Sequence, residues 1–294
     1  MADLAILFDA SRCSACKGCQ VACKCWNGLP SPTEKNVQSF TGSYQSPLDL
    51  NGDTRLIISF DEAAGDPDTQ WNRVRWAFGR RSCQHCSNPA CASICPSGAL
   101  SVEESTGFVT VTEDKCIGCK YCSTACPFDV PRYHGKKPKI NKCTGCPERV
   151  ANGRTPACVQ TCQPEALKFG DREEMLALGK ERVAYLQAKG FKDAVLYGEN
   201  ELDGLHVITV AKYGLTPHGL PVDPQINPFA ELVDIAKPVI ALAAGATVVG
   251  LATSFLTGVG YKQPQLRYDV TTKETIDETT GTVVKVGNGQ EGEE

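Results

Sequence analysis

Cysteine dominates any chemical reading of this chain, with 17 among 294 residues. The most regular stretch is Cys116-Ile-Gly-Cys119-Lys-Tyr-Cys122-Ser-Thr-Ala-Cys126, followed at once by Pro127. Three thiolates at every third position can wrap three corners of a 4Fe–4S cube. A fourth, placed before a proline, points away and ligates a neighbouring cluster. Gly118 supplies a residue free to adopt positive φ where the loop bends around the cube. Pro127 fixes the backbone and withholds an N–H where the chain departs.

Three further runs follow the same scheme. Cys13, Cys16, Cys19 and Cys23 repeat the spacing without change. Cys83, Cys86, Cys91 and Cys95 (before Pro96) widen the second gap to four residues. Cys143, Cys146, Cys158 and Cys162 enclose a loop at 147–157, and Gln163 stands where proline is expected, with Pro164 one place late. Sixteen cysteines thus form four groups of four, which predicts four 4Fe–4S clusters and leaves Cys25 over. A disulfide framework suits small secreted chains, whereas this one is long and has no signal-like apolar segment before Cys13. Zinc wants two separated pairs that close a tetrahedron, and three ligands within seven residues fit that poorly. A non-redox zinc-binding scaffold is the alternative of a different class.

Several other residues stand near the runs. Cys25 competes with Cys23 as a ligand, although spacing favours Cys23 and a buried free thiol for Cys25. His85 lies between Cys83 and Cys86, but that run already has four thiols, so a supporting or solvated role is expected. Lys17, Lys24, Lys120 and Lys142 flank ligands, where positive charge would raise a cluster's potential; solvated surface lysines explain them equally well. Arg132, Lys136, Lys137 and Lys139 read as a solvated basic loop. No nucleophile–base pair, phosphate-cradling loop or open metal site is visible, so the chain reads as an electron carrier and is not catalytic by itself. A formal net charge of −4 gives no reason to expect nucleic acid.

The elements that must position these ligands read as α+β: two ferredoxin-like double-cluster modules with irregular loops, plus one C-terminal transmembrane helix. Residues 1–80 carry the first run and an insertion, with strands at 55–60 and 73–78. Residues 81–130 form a module of the second and third runs joined by a hairpin at 99–112. Residues 131–213 hold the fourth run, a strand at 166–169, a helix capped by Asp171 and ended by Gly190, and a strand at 205–210. Residues 214–237 are a proline-broken linker. Residues 238–261 are uncharged and about 36 Å long as a helix, enough to span a bilayer. In that stretch Ala246, Gly250, Ser254 and Gly258 form a small-residue row suited to a membrane partner. Residues 262–294 form a polar tail, disordered from 274. Lys237 before the span against Lys262, Arg267 and Lys273 after it places the C-terminus in the cytoplasm and the cluster domain outside.

The four runs and the C-terminal span resemble the iron–sulfur (beta) subunit of membrane-bound formate dehydrogenases. That group sits within the four-cluster subunits of molybdopterin oxidoreductases. Narrower marks are Cys19-Gln-Val-Ala-Cys23 with Trp26-Asn27, Pro156-Ala-Cys158-Val-Gln-Thr-Cys162, Phe169-Gly with Glu174-Met-Leu, and His218-Gly-Leu-Pro221. The resemblance implies that Cys13, Cys16, Cys19 and Cys162 hold one cluster and Cys143, Cys146, Cys158 and Cys23 its neighbour. In the second pair, Cys83, Cys86, Cys91 and Cys126 hold one cluster and Cys116, Cys119, Cys122 and Cys95 the other. It implies electron transfer from a formate-oxidising molybdenum or tungsten (molybdopterin) catalytic subunit to a membrane cytochrome b subunit, gripped by the 238–261 helix, and on to quinone. The equivalent subunit of a membrane hydrogenase or another molybdopterin oxidoreductase is the alternative within electron transfer.

Overall fold

The computed structural model describes residues 3–30, 42–65, 74–133, 138–258, 265–272, 274–278 and 280–286. Lys136, Lys137, Lys262 and Lys273, named above, lie outside them, as does residue 73 at the start of the expected 73–78 strand. The chain forms two units, Met1–Ile235 and Ala236–Glu294.

The first unit is organised on a four-stranded sheet ordered β8 (Leu167–Asp171), β1 (Leu4–Asp9), β10 (Val207–Ala211), β9 (Val195–Tyr197). β1 runs parallel to β10 and antiparallel to β8. The apolar run Leu4–Phe8 becomes this central strand because both its faces are buried. Alternate side chains point to opposite faces. Ala5 and Leu7 join Met175, Leu186, Ile208 and Val210 under the long helix α6 (Arg172–Ala188). Ile6 and Phe8 join Leu56, Ile58, Phe78 and Phe108 on the other face, together with Cys19, Cys23 and Cys158. The sheet therefore separates a purely structural layer from the cysteine layer. Asp171 caps α6 as expected, its Oδ1 accepting from the N–H of Glu173 (2.9 Å) and of Glu174 (3.4 Å).

The hairpins were legible. β2 (Ile57–Ala64) pairs antiparallel with β3 (Val74–Arg81), and β4 (Leu100–Val102) with β5 (Val109–Val111). A two-residue pair, β6 (Arg132–Tyr133) with β7 (Ile140–Asn141), closes the base of the fourth run. Five short helices carry ligands or follow them: α1 (Gly18–Trp26), α2 (Ala90–Ser93), α3 (Tyr121–Ala125), α4 (Pro147–Ala151) and α5 (Ala157–Gln160). α1 packs against α5, and α2 against α3.

The C-terminal expectation needs correction. Among the described residues, no helix is long and apolar enough to cross a membrane. The transmembrane helix at 238–261 and the single-pass localisation built on it are overturned, and the cytochrome b contact through that helix loses its basis. α7 runs Pro228–Gly258, so Glu231, Asp234 and Lys237 belong to the same helix as the apolar stretch. Its later turns are rich in Ala, Gly, Thr and Ser, which gain little from hydrocarbon compared with Leu, Ile, Phe or Val. Leu242, Val249, Leu251 and Phe255 on it are exposed. The tail also departs from the disorder expected beyond residue 274. β11 (Leu266–Asp269), β12 (Glu274–Asp277) and β13 (Val283–Val286) form an antiparallel meander. The β-branched residues Thr275, Ile276, Val283, Val284 and Val286 favour it locally.

Candidate metal centres

The four ligand loops share one backbone device. The residue just before the second cysteine of each run is left-handed: Ala15 (φ 52°), His85 (φ 51°), Gly118 (φ 76°) and Gly145 (φ 76°). Each chain reverses there, which lets successive thiols face the same hollow. Gly145 is required twice over, because a Cβ on it would come within 2.3 Å of the Phe108 ring. Lys17 and Lys120 are left-handed as well, and each starts the helix that bears the third cysteine.

The third and fourth cysteines of every run stand four apart: Cys19 and Cys23, Cys91 and Cys95, Cys122 and Cys126, Cys158 and Cys162. In α1 that spacing places both on one face a turn apart, whereas in the other three runs the helix ends before the fourth cysteine. A short helix, with the residues just after it, can therefore lie between two neighbouring hollows and give a thiol to each. The packing of α1 on α5 and of α2 on α3 brings two such helices together in each half.

The electrostatic neighbours of each buried thiol sort the cysteines into sets. Burial pushes Cys13 up to about 11, with the charges of Cys162 and Cys16 adding to the effect. Burial pushes Cys19 up to about 12, with Cys158, Cys13 and Cys162 adding. Cys23 is raised by burial and then by Cys143, Cys158 and Cys146. Cys86 is raised by burial, then by Cys83, Cys91 and Cys126. Cys122 rises to about 11 through burial, then through Cys95, Cys119 and Cys116. Two hollows have matching walls: one is lined by Cys13, Cys16, Cys19 and Cys162, the other by Cys23, Cys143, Cys146 and Cys158.

Neighbouring sets touch in a line. Cys19 of one set feels Cys158 of the next. Cys143 shares an apolar cluster with Cys83, Cys86 and Cys126, around Phe128, Tyr197 and Leu205. Cys91 feels Cys122. Cys16 and Cys119, in the two outermost sets, are exposed, whereas every cysteine of the two inner sets is buried or half-buried.

These hollows suit a cluster better than a lone ion. Among the described residues, no three His, Cys, Asp or Glu side chains converge as a single ion needs; zinc would draw its thiolates to about 2.3 Å from one point. Thiols whose ionisation burial opposes need positive charge inside the hollow, which bound iron supplies. Backbone N–H groups already face sulfur: Ala15 to Cys13 (3.4 Å), Leu167 to Cys162 (3.3 Å) and Ile140 to Cys116 (3.4 Å). Arg80 lines the hollow of Cys23, Cys143, Cys146 and Cys158 with two side-chain nitrogens unpartnered. An anionic cube with thiolate corners fits that arrangement.

The remaining candidates separate cleanly. Cys25 is exposed, where a buried thiol was expected. His85 is fully buried, its Nδ1 accepting from the Val109 N–H (3.0 Å), so it packs in the core and is not solvated. Of the four lysines, Lys142 alone is buried, its Nζ donating to the carbonyls of Val109 (2.5 Å) and Cys143 (2.9 Å). Arg132, read as part of a solvated loop, instead bonds Asp129 and Asp49. Arg80 was not singled out from sequence. No local signal separated it, since β3 also carries Arg75 and Arg81.

The comparisons agree with this chemistry. Residues 74–172 match the model of a 4Fe-4S dicluster domain. The formate dehydrogenase iron-sulfur subunit of Haemophilus influenzae is 37% identical over 259 residues, covering 87% of this chain and 80% of that one. The iron-sulfur subunit of the nitrate-inducible formate dehydrogenase of Escherichia coli is also 37% identical, over 263 residues, 88% of this chain and 86% of the relative. A probable anaerobic dimethyl sulfoxide reductase chain of the same organism is 39% identical over 170 residues, 57% of this chain and 73% of the relative. The chain thus carries iron–sulfur clusters and works beside a catalytic partner subunit without being catalytic alone: it belongs to the iron–sulfur, electron-transfer subunits of formate dehydrogenases.

Proposed function

We propose that the sixteen cysteines hold four 4Fe–4S clusters in the order Cys13/Cys16/Cys19/Cys162, Cys23/Cys143/Cys146/Cys158, Cys83/Cys86/Cys91/Cys126 and Cys95/Cys116/Cys119/Cys122. The observation that carries this is geometric: one hollow is lined by Cys13, Cys16, Cys19 and Cys162 and another by Cys23, Cys143, Cys146 and Cys158, while Cys86 faces Cys83, Cys91 and Cys126 and Cys122 faces Cys95, Cys119 and Cys116. Each cluster, when bound, takes up and releases one electron. The chain's own part is to hold the thiolates, supply N–H donors and keep water from the inner pair. Electrons enter at one exposed end and leave at the other.

The donor is a molybdenum- or tungsten-pterin subunit that oxidises formate, and the acceptor is a cytochrome b subunit. The family relationship supports both. Anaerobic addition of formate to the purified native complex should bleach the iron–sulfur absorbance, and hydrogen should leave it unchanged. Bleaching by hydrogen alone would move the donor to a hydrogenase, and colourless protein would remove the cluster reading altogether.

A further inference from the structure

Arg80 is a buried charge that the wire does not account for. It lies near the end of β3 and is 4% exposed. A guanidinium stays protonated in a protein, so burying it demands an anion or a full set of acceptors. Its Nη1 donates to the Ser82 hydroxyl, Nε and Nη2 have no oxygen or nitrogen acceptor, and no carboxylate among the described residues pairs with it. The titratable groups that do face it are the cysteines Cys158, Cys143 and Cys19, in that order, with Cys158 within hydrogen-bonding reach. It lines the hollow of Cys23, Cys143, Cys146 and Cys158.

We propose that Arg80 is the internal counter-ion of the cluster held by Cys23, Cys143, Cys146 and Cys158, its Nε and Nη2 donating to that cluster's sulfurs and raising its potential. Adding an electron makes the cluster more negative, and a fixed cation in a dry, low-dielectric setting favours that state. The lysines on the surface cannot act so strongly, because water screens them. The proposal rests on the ligand sets given above.

The test is a redox titration of the full complex followed by electron paramagnetic resonance, with iron per chain measured alongside. Cys158→Ser first identifies the signal that belongs to this cluster. At the wild-type midpoint potential, Arg80→Gln should lower the reduced-to-oxidised ratio of that signal at least tenfold, equivalent to about 59 mV for one electron. Arg80→Lys should retain most of the ratio, and the signal lost in Cys122→Ser should not move in either variant. An unmoved midpoint in Arg80→Gln, or equal shifts in both variants, would overturn the counter-ion role. If Arg80→Gln takes up no cluster here while Arg80→Lys does, the charge is needed and the proposal stands. If both fail to load it, Arg80 is a packing residue. Unchanged iron in Cys158→Ser would instead defeat the ligand assignment, independently of Arg80.

Discussion

Buried cations lie among these thiols, and Lys142 is one of them, along with Arg80 and Arg149. Its Nζ ties Val109, on the hairpin between the second and third runs, to Cys143 at the start of the fourth. It also faces Cys91, where its charge opposes the effect of burial on that thiol. Lys142→Met keeps the apolar stem but deletes both hydrogen bonds from a dry interior. The cost should be about 1–3 kcal/mol, read as a lower urea midpoint at unchanged slope. Lys120→Met, at the surface over the Tyr133 ring, should stay within about 0.5 kcal/mol. Equal effects of the two would show that burial is not what distinguishes them. From sequence, all four ligand-flanking lysines stood level, because what buries Lys142 is a hairpin some thirty residues earlier in the chain. Arg80 was hidden for the same reason: the thiols around it come from the first and fourth runs, and no spacing rule brings them to β3.

At the scale of elements, the loops were more legible than the layers. Gly118 was expected at positive φ and is found there, at 76°. The hairpins, the Asp171 cap and the ligand spacing are local signals. β1 was visible only as an apolar patch, since a strand buried on both faces loses the alternation that marks a half-exposed one. The shared left-handed residue also makes an opposed pair of predictions. Gly145→Ala forces a Cβ into an αL site, at about 1–2 kcal/mol, and against the Phe108 ring, at about 1–3 kcal/mol more. It should lower the melting temperature and reduce iron per chain. Ala15→Gly removes the αL cost from a loop that already bears it, and should leave iron unchanged while stabilising by about 0.5–1 kcal/mol. If Ala15→Gly were the more harmful of the two, the left-handed position would not be what shapes these loops.

For the whole molecule, the cysteine groups foretold iron–sulfur chemistry, but the proposed order of the sets was not readable from spacing, which says which thiols share a loop and not which loops become neighbours. The membrane anchor is overturned at this scale too, since among the described residues no helix is long and apolar enough to cross a bilayer. The proposed linear arrangement has a consequence for damage. Cys16 and Cys119 are exposed in the two outer sets, while burial and the apolar cluster of Phe128, Tyr197 and Leu205 shield the inner ones. Oxidants attack clusters through solvent-accessible corners, so brief treatment with ferricyanide should remove iron in two phases. The fast phase should take about half of it, from the Cys13/Cys16/Cys19/Cys162 and Cys95/Cys116/Cys119/Cys122 sets, with the two inner resonance signals surviving. Over that interval, formate should lose its ability to reduce the remaining clusters although dithionite still reaches them, since the way in is through an end. Loss of all iron in one phase, or of the inner signals first, would mean that the sets are not strung in this order.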